Sequence, residues 1–412
     1  MSQVSLVRQI LDHANRANPY PLYAELLKTP VVHDGEYGPY VISSYWDIES
    51  LLHDPRISSD SANLAAAGPD AMPQAEDDTG LPPSFIRLDP AEHDRLRRIT
   101  NSAFGPPNKP HRVYDMQPEM HRIVNELIDG FGDARQIDLV DQFAYPFPVT
   151  VICRMLGVPR EDEPHFRDLV DPIVAGLDPA TRLAGGAEFQ KKWQEARTQL
   201  GMYLAGLVEE RKKHPRDDML SDLANSHGPD GSMSTMEVLA TSVLLLIAGH
   251  ETTVNLITNG MLTLLRHPEI FQRLREDPEL SIKIVEELLR YEPPVQIVPQ
   301  RTNITDIEVR GVTIPKGSML WLVIAAGNRD PERFADPDRF DPDRQDIEHL
   351  GFGSGIHSCF GAPLARLETQ IALSELARRL ENPRLVDDPP PYRENAVLRG
   401  PRHLNIAIDG VR

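Results

Sequence analysis

The stretch that decides the fold is Phe352–Gly353–Ser354–Gly355–Ile356–His357–Ser358–Cys359–Phe360–Gly361, which we call the cysteine loop. Its glycines allow the backbone to turn tightly and to approach a bulky partner. Backbone amides in such a loop can point at the Cys359 sulfur and stabilise its thiolate. A helix is predicted to start at Ala362, and a helix N-terminus also favours a thiolate. We therefore interpret Cys359 as a functional thiolate rather than an inert thiol, and it could serve as a single-point metal ligand.

Two other functions fit this loop less well. Gly351, Gly353 and Gly355 do not form a dinucleotide-binding fingerprint, because the matching frame needs another Gly at position 356 or 358. A catalytic Cys–His pair would need a well-placed base, and His357 is only two residues from the cysteine in a tight turn. A stabilised thiolate beside a bulky partner remains the better interpretation of the loop.

A long helix is predicted upstream of this loop. Ser234–Thr235–Met236–Glu237 fits a capping box, in which the Ser hydroxyl and the Glu carboxylate each cover a free amide. The apolar pattern then continues to about Arg266, and Pro268 ends it. A helix of ~32 residues is ~48 Å long at ~1.5 Å per residue, far above the usual length. We therefore expect it to run through the middle of the protein.

Ala248–Gly249–His250–Glu251–Thr252–Thr253 interrupts the apolar pattern of this helix. Gly costs ~1 kcal/mol in a helix interior relative to Ala, so packing alone does not explain it. One interpretation is that the small residues leave room for a flat ligand while Glu251 and Thr252 manage protons beside it. The alternative is a solvated helix face. A metalloprotease helix would need a second His where Val254 stands, so that class is excluded.

The rest of the chain reads as mostly helical with a small β region. Helical periodicity covers most of residues 90–290 and also Arg8–Leu27. Three short strands are predicted, at Gly38–Ile42, Ile307–Ile314 and Met319–Ile324. A turn at Pro315–Lys316–Gly317 separates the last two. Two segments poor in apolar residues, 61–84 and 178–186, are predicted to be mobile lids.

Composition excludes several classes of function. The net charge of −19 repels phosphate backbones and anionic lipid, so the sequence predicts no nucleic-acid partner. The N-terminal residues lack the apolar region of a secretory signal, and Val238–Gly249 is too short to cross a bilayer. A cytoplasmic protein without a membrane anchor is expected. Cys153 and Cys359 cannot form a four-cysteine metal site, and Cys153, inside apolar Val149–Leu156, is predicted to be an inert buried thiol.

At these residues the chain resembles the cytochrome P-450 family of soluble bacterial haem-thiolate monooxygenases. The cysteine loop matches the family's haem-binding signature, Phe-Gly-x-Gly-x-(His/Arg)-x-Cys-x-Gly, at every fixed position. Ala248–Thr253 matches its oxygen-activation motif. Glu287–Leu288–Leu289–Arg290 matches its Glu-x-x-Arg motif, and Pro337–Asp338–Arg339–Phe340 matches the segment whose Arg joins that pair. One Glu-x-x-Arg is common on helices, but four motifs in the family's order are specific, and the resemblance covers nearly all 412 residues.

The resemblance implies a mainly α fold with a small β region, a triangular helical prism in which residues 1–412 form a single domain. Haem b would lie between the long central helix and the cysteine loop, with Cys359 as the iron ligand. The implied structural residues are Glu287, Arg290 and Arg339. The implied haem contacts besides the cysteine are His93, Arg97, Ala248, Arg301, Phe352, Gly353, His357 and Gly361.

Four of these residues are implied to hold the two haem propionates. Asp89–Pro90–Ala91–Glu92 is predicted to start a helix with a cap, and His93 and Arg97 then lie four residues apart on one face. Arg301 and His357 match the family's other two propionate partners. Two carboxylates buried at a haem need cationic or hydrogen-bonding partners, so these residue types suit the role.

By resemblance the protein is a monooxygenase that inserts one oxygen atom from O2 into a C–H bond by hydroxylation or epoxidation. Glu251 and Thr252 would deliver protons for oxygen activation. The chain has no flavin or nicotinamide fingerprint, so electrons would come from a ferredoxin fed by a reductase and NAD(P)H. That donor is expected to dock near the cysteine loop, with Arg98 and Arg366 as candidate contacts.

The implied substrate pocket is mainly apolar, which favours a lipophilic small molecule such as a secondary metabolite, terpenoid, steroid, macrolide or fatty acid. Besides the lid at 61–84, its expected lining residues are Leu245, Ala248, Val295, Ile297, Val298, Val397 and Leu398. Two other functions stay open, a haem-thiolate peroxygenase or isomerase without external electrons and a non-enzymatic haem sensor. The Glu251–Thr252 pair argues against both, because neither needs protons for dioxygen.

Overall fold

The computed structural model describes residues 5–35, 38–64, 82–106, 108–176 and 186–412, without the side chains of 164–167. The chain forms two compact units, of which the first contains residues 1–71, 120–147 and 252–412 and the second contains 72–119 and 148–251. Of the predicted lids, residues 65–81 of the first and 178–185 of the second lie outside the described residues. The mainly helical class with a small β region is confirmed.

A five-stranded sheet lies in the first unit. Its strands follow the order Val31–His33, Pro39–Ile42, Met319–Leu322, Val298–Asn303 and Ile57–Ser58. The second and third of these strands are parallel, and the other three pairs are antiparallel. The buried side chains of Ile42, Leu320 and Leu322 join a core with Tyr45 and Phe334. β-Branched and aromatic residues suit such a half-buried sheet surface.

Three smaller sheets and seven α-helices complete the described part of the first unit. In one smaller sheet the strand Asn405–Ala407 lies between Arg384–Leu385 and Gln136–Asp138. The other two are pairs, Gly410–Val411 with Leu380–Glu381 and Ile307–Val309 with Val312–Ile314. The helices that lie wholly in this unit are Leu6–Leu11, Tyr20–Leu27, Tyr45–His53, Pro268–Glu276, Ser281–Tyr291, Ile324–Gly327 and Ala362–Arg379.

The second unit is helical in its described residues. Its own helices are Glu92–Phe104, Arg112–Asp115, Glu163–Ala175, Gly186–Lys213 and Met219–Ala224. Three further helices begin in one unit and end in the other, namely Gln117–Asp129, Pro146–Leu156 and Thr235–Arg266.

The predicted long helix is confirmed as Thr235–Arg266, with 32 residues, and we call it the central helix. Its capping box forms as expected, since the Ser234 amide donates to Glu237 Oε2 at 2.7 Å and the Glu237 amide to Ser234 Oγ at 3.2 Å. By length and composition this helix could cross a membrane, but 67% of its most apolar window is buried inside the protein. Such burial is typical of a core helix.

Two predicted elements are divided by local backbone effects. The helical periodicity over Arg8–Leu27 corresponds to two α-helices, Leu6–Leu11 and Tyr20–Leu27, with a break between them. The Asp12 side chain accepts from the Ala14 amide there and starts a separate turn. Likewise Ile307–Ile314 is a hairpin rather than one strand, because Arg310 and Gly311 have φ of 48° and 78°. Two successive residues with positive φ are typical of a two-residue hairpin turn.

The other strand predictions hold with shifted ends. The strand expected at Gly38–Ile42 is Pro39–Ile42. The one expected at Met319–Ile324 ends at Leu322, and Ile324 already begins the short helix Ile324–Gly327.

Candidate active site

The cysteine loop is closed by its own backbone. The Cys359 amide donates to the Phe352 carbonyl at 2.8 Å, and the Gly353 amide donates to the Leu350 carbonyl at 2.8 Å. Within this turn Phe352 is half-buried, whereas Cys359 is exposed. The predicted helix follows at once as Ala362–Arg379. The fold therefore presents a thiol on a hydrogen-bonded turn directly before a helix N-terminus, where a thiolate is favoured.

The loop glycines serve a close approach, although to the protein's own backbone. A Cβ at Gly355 would lie 2.1 Å from the Leu52 carbonyl oxygen, and one at Gly351 would lie 2.5 Å from the Leu289 carbonyl oxygen. These two glycines let the loop pack against the ends of two helices. At Gly361 a Cβ would meet no described atom within 4 Å. The prediction that glycines leave room for a bulky group thus fits Gly361, and not Gly351 or Gly355.

Two of the four predicted propionate partners lie in the first unit. His357 is half-buried in the cysteine loop, where its Nε2 lies 2.9 Å from Ser59 Oγ. Arg301 is half-buried in the strand Val298–Asn303, opposite Leu320. Its Nη1 donates to the Gln300 carbonyl at 2.7 Å.

The other two predicted propionate partners lie in the second unit, on the helix Glu92–Phe104. His93 is buried, with Nδ1 2.8 Å from the Asp94 carboxylate, and Arg97 is half-buried one turn later. The predicted side-chain cap is wrong, because Ala91 occupies the N-cap position and no side chain caps it. Asp89 contributes its carbonyl instead, which accepts from the His93 amide at 3.0 Å.

The motif in the central helix separates exposed from buried residues. Ala248 is exposed, whereas Leu245, His250 and Glu251 are buried. Thr252 is half-buried and, four residues after Ala248, lies on the same face of the helix. A helix otherwise set in the core thus offers a face with a methyl group and a hydroxyl. This arrangement favours the ligand-facing interpretation of the motif over the solvated-face interpretation, because Glu251, the acid beside this face, is buried.

Gly249 has a different purpose from the one predicted. A Cβ at this position would lie 3.3 Å from two side-chain carbons of Ile152, on the helix Pro146–Leu156. The missing side chain therefore permits close helix–helix packing rather than space for a ligand. Cys153, the neighbour of Ile152, is fully buried, and burial raises the pKa of its thiol, which confirms the prediction of an inert cysteine.

Most of the predicted substrate residues of the first unit lie on two adjacent segments. Val295 forms a β-bridge with Leu398, and the Gln296 amide donates to the Val397 carbonyl at 2.8 Å. Ile297 is buried at the start of the same run. Val298, which follows it, is half-buried. The structure thus brings these apolar residues together, as expected for one pocket wall.

The Glu-x-x-Arg pair is confirmed as a buried ion pair. Arg290 donates from Nε and Nη2 to Glu287 at 2.8 and 2.7 Å, with both side chains fully buried. The role expected for Arg339 needs correction, because its side chain is 69% exposed and its carbonyl accepts from Arg290. Arg344 is the cation that approaches the pair, with Nε 3.5 Å from Glu287. The motif matched the segment, but it gave no signal for Arg344.

The two candidate docking cations both have acidic partners. Arg98 Nη2 lies 2.8 Å from Asp230 in the second unit. Arg366 Nε lies 2.6 Å from Glu286 in the first unit. Neither acidic partner could be predicted from the sequence, because each pair joins residues that are distant in the chain.

These residues fit the haem that the resemblance implies. The first unit supplies an exposed thiol on a closed turn, open space at Gly361 and two half-buried hydrogen-bond donors. The second unit supplies His93, Arg97 and the exposed Ala248. Thiolate, imidazole and guanidinium groups are the donors that an iron porphyrin with two propionates needs.

Comparison with known proteins gives a consistent result. The sequence profile described as Cytochrome P450 matches residues 32–407. A vitamin D(3) 25-hydroxylase of Pseudonocardia autotrophica is 37% identical over 95% of this chain and 94% of its own. The structure of ligand-free CYP164A2 from Mycobacterium smegmatis has a TM-score of 0.87 and 40% identity, and covers 98% of this chain and 99% of its own. The structure of CYP109E1 from Bacillus megaterium with corticosterone has a TM-score of 0.83 and 31% identity, and covers 96% and 100%.

Proposed function

Because the chain belongs to the cytochrome P450 family of haem b monooxygenases, we propose that it inserts one oxygen atom from O2 into a C–H bond of a lipophilic small molecule. In this proposal residues 1–412 act as one haem domain in the cytoplasm. The exposed thiol of Cys359, on its closed turn before Ala362–Arg379, is the observation that carries the proposal.

Cys359 would hold the iron, and four side chains would hold the propionates. A bound haem supplies the redox centre, and thiolate donation to its iron favours O–O bond cleavage. Imidazole and guanidinium donors at His93, Arg97, Arg301 and His357 would neutralise the two carboxylates, which cannot be buried alone. Phe352, Gly353, Gly361 and Ala248 would contact the macrocycle.

Thr252 and Glu251 would manage protons on the central helix. Thr252 is half-buried on the face that carries Ala248, so its hydroxyl can hold and donate a proton beside a ligand. Glu251, the preceding residue, is buried. Its carboxyl group would supply the proton that replaces the one donated by the Thr252 hydroxyl. This pair is the reason to prefer an oxygen-dependent monooxygenase over a peroxygenase, an isomerase or a haem sensor.

The substrate would lie against the apolar wall formed by Val295, Ile297, Val298, Val397 and Leu398, together with Leu245. Two relatives support a steroid-like or secosteroid-like compound first, since one is a vitamin D(3) 25-hydroxylase and the structure of the other is a complex with corticosterone. A ferredoxin with an NAD(P)H-dependent reductase would supply two electrons, docking near the cysteine loop.

The iron ligand is tested with the purified protein after reduction and treatment with carbon monoxide. The parent should show a thiolate-type Soret band, and Cys359→Ala should lose it. Cys153→Ala is the matched control and should keep the band, because Cys153 is fully buried in the other unit. A thiolate-type band that survives in Cys359→Ala would refute the ligation.

The proton role is tested by measuring product formed per NAD(P)H consumed with a surrogate ferredoxin system. Thr252→Ala should divert reducing equivalents to peroxide. Thr258→Ala on the same helix is the control, since the Thr258 hydroxyl is committed to the Val254 carbonyl at 3.0 Å. Equal coupling in Thr252→Ala and the parent would contradict the role.

The substrate class is tested by a spectral binding screen of steroids, vitamin D3, macrolides, terpenoids and fatty acids. A ligand that displaces water from the iron shifts the absorption band, and we expect the steroid-like compounds to shift it at the lowest concentrations.

Docking of the electron donor is tested by charge reversal at Arg98 and Arg366. Unchanged rates of reduction by the ferredoxin in both variants would remove these residues as contacts.

A further inference from the structure

Two side chains that flank the cysteine loop in the chain, His349 and Arg366, contact the carboxylate of Glu286. Arg366 donates to both oxygens, from Nε at 2.6 Å and from Nη2 at 3.0 Å, and His349 Nε2 lies 3.3 Å away. Burial would raise the pKa of Glu286, but hydrogen bonds from His349 and Arg366 outweigh it and lower the pKa to about 2. Glu286 is therefore an anion at any physiological pH. We call these three residues the Glu286 trio.

His349 is held as a neutral imidazole within this trio. Its side chain is 4% exposed, and its Nδ1 accepts a hydrogen bond from the Gly351 amide at 3.1 Å. An imidazolium has no acceptor nitrogen, so the proton of the neutral ring must be on Nε2, where it is donated to Glu286. The trio is thereby fixed to the backbone immediately before the cysteine loop, and His349 brings no charge to it.

Arg366 connects the trio to the cysteine itself. It lies in the first turns of the helix Ala362–Arg379, and its guanidinium carbon is 4.7 Å from the centre of the Phe352 ring. The Phe352 carbonyl accepts the Cys359 amide, so the ring that Arg366 covers belongs to the residue that closes the turn. The hydrogen bond to Glu286 raises the pKa of Arg366. Arg366 is therefore a cation held against the residue that closes the turn of Cys359.

We propose that the Glu286 trio is a positioning unit that sets the electrostatic field at the Cys359 thiolate. Arg366 stabilises the negative charge on the sulfur, Glu286 holds Arg366 in place and offsets part of its charge, and His349 fixes the carboxylate without adding charge. The inference rests on the proposed ligation of haem iron by Cys359. It assigns Arg366 an internal role, distinct from contact with an electron donor.

The test is the reduction potential of the haem-loaded protein, measured by spectroelectrochemistry without a donor protein. Reduction adds an electron to the iron–thiolate centre, so a nearby positive charge favours it and a negative charge opposes it. Glu286→Gln should therefore raise the potential, and Arg366→Gln should lower it. His349→Gln preserves the charge and should leave the potential at the parent value. Arg378→Gln is the matched control, because Arg378 pairs with Glu375 farther along the same helix.

The opposite signs distinguish this field effect from a purely structural one. Loss of packing would move Glu286→Gln and Arg366→Gln in the same direction, and that result would overturn the proposal. Arg366→Lys retains the charge and should restore the potential toward the parent value, which keeps the test decisive where Arg366→Gln folds poorly. A parent protein without the thiolate-type carbonyl band would instead refute the ligation by Cys359.

An independent readout concerns the tautomer of His349. Nitrogen NMR of the parent protein should show that Nδ1 of this ring accepts a hydrogen bond and that Nε2 carries the proton. A ring with its proton on Nδ1 would contradict the link between His349 and the Gly351 amide.

Discussion

Gly353 and Gly355 have the same φ angle but different surroundings. Comparing them separates two free-energy costs of adding a side chain, backbone strain and steric overlap. Both have φ of 66°, a conformation that disfavours any Cβ. At Gly353 the nearest atom to a Cβ would be the His357 carbonyl oxygen at 4.0 Å. At Gly355 the Leu52 carbonyl oxygen would be at 2.1 Å, and backbone cannot move aside as the end of a side chain can.

We expect Gly353→Ala to cost about 1–2 kcal/mol of unfolding free energy, from the strained φ alone. Gly355→Ala should cost about 3–5 kcal/mol, because the overlap with Leu52 is added to the same strain. Urea unfolding of the two variants measures the difference. Equal losses would show that the loop does not approach the helix Tyr45–His53 as closely as the structure indicates.

Glu368 is a fully buried acid in the helix after the cysteine loop. Burial raises the pKa of this carboxyl well above its ordinary value, and the Thr253 hydroxyl opposes the rise only in part. The folded state therefore holds the proton more tightly than the unfolded chain. Its contribution to stability is complete below the unfolded pKa of about 4.3 and is lost as pH rises above that value.

Glu368→Gln removes this pH-dependent loss, since an amide has no proton to lose. We expect the variant to have a higher unfolding free energy than the parent at pH 7, and the difference should shrink toward pH 4. Denaturant unfolding from pH 4 to pH 8 measures both trends. A variant that is less stable than the parent at pH 7 would mean that Glu368 is ionised in the fold.

Residues whose chemistry depends on near neighbours in the chain could be predicted from the sequence. The burial of Cys153 follows from the apolar run around it, and the helix after Cys359 follows from Ala362–Glu368. The partners of Gly249 and Gly355 could not be predicted, because Ile152 and Leu52 reach them only in the folded chain. The purpose of a glycine depends on what it approaches.

At the scale of secondary-structure elements, the segment after Phe340 completes the ion pair of the helix Ser281–Tyr291. Arg344 is 10% exposed, lies 3.5 Å from Glu287 and donates from Nη1 to the Ala335 carbonyl at 2.7 Å. Arg339 exposes its side chain and contributes its carbonyl. The two arginines thus look equivalent in the sequence and differ in the fold.

Arg344→Gln should destabilise the protein by about 1–3 kcal/mol, because it removes charge-assisted bonds from a largely buried site. Arg339→Gln should change stability by no more than about 0.5 kcal/mol, since the variant keeps the carbonyl that Arg290 uses. Thermal or urea unfolding of the two variants measures their losses of unfolding free energy. A larger loss in Arg339→Gln would restore the role that the motif first suggested.

Elements with strong local signals were predicted correctly. The central helix has a capping box at Ser234 and a proline just beyond Arg266, so both ends are encoded nearby. The hairpin at Ile307–Ile314 was not predicted, because its turn needs a positive φ at Arg310, a residue type that rarely adopts one. Gly311 is the one residue of this turn whose type favours a positive φ. The sheet order was not predictable, because the strands Pro39–Ile42 and Met319–Leu322 pair across most of the chain.

At the scale of the whole molecule, a buried arginine fastens the two ends of the chain within the first unit. Arg399 pairs with Glu292 and donates to the carbonyls of Arg16 at 2.8 Å and Ala17 at 2.9 Å. Its own amide donates to the Pro294 carbonyl at 2.8 Å. The N-terminal segment and the predicted substrate wall are therefore joined through one side chain.

Arg399→Lys keeps the charge but cannot make the bonds of a planar guanidinium. We expect a loss of about 2–4 kcal/mol and faster amide hydrogen exchange in residues 5–27. The thiolate-type carbonyl band should persist, because the cysteine loop does not depend on this junction. Hydrogen exchange that remains at the parent rate in residues 5–27 would show that other contacts hold the N-terminal segment.

The two cysteines differ in accessibility, since Cys153 is fully buried and Cys359 is exposed. Alkylating reagents attack the thiolate, and a buried thiol of raised pKa is inert to them in the native state. A maleimide should therefore modify Cys359 alone and, under the proposed ligation of haem iron by Cys359, only in molecules without bound haem. The fraction of labelled chains, weighed by mass spectrometry, would then report the fraction of empty apoprotein in a preparation, with no need for an absorption measurement.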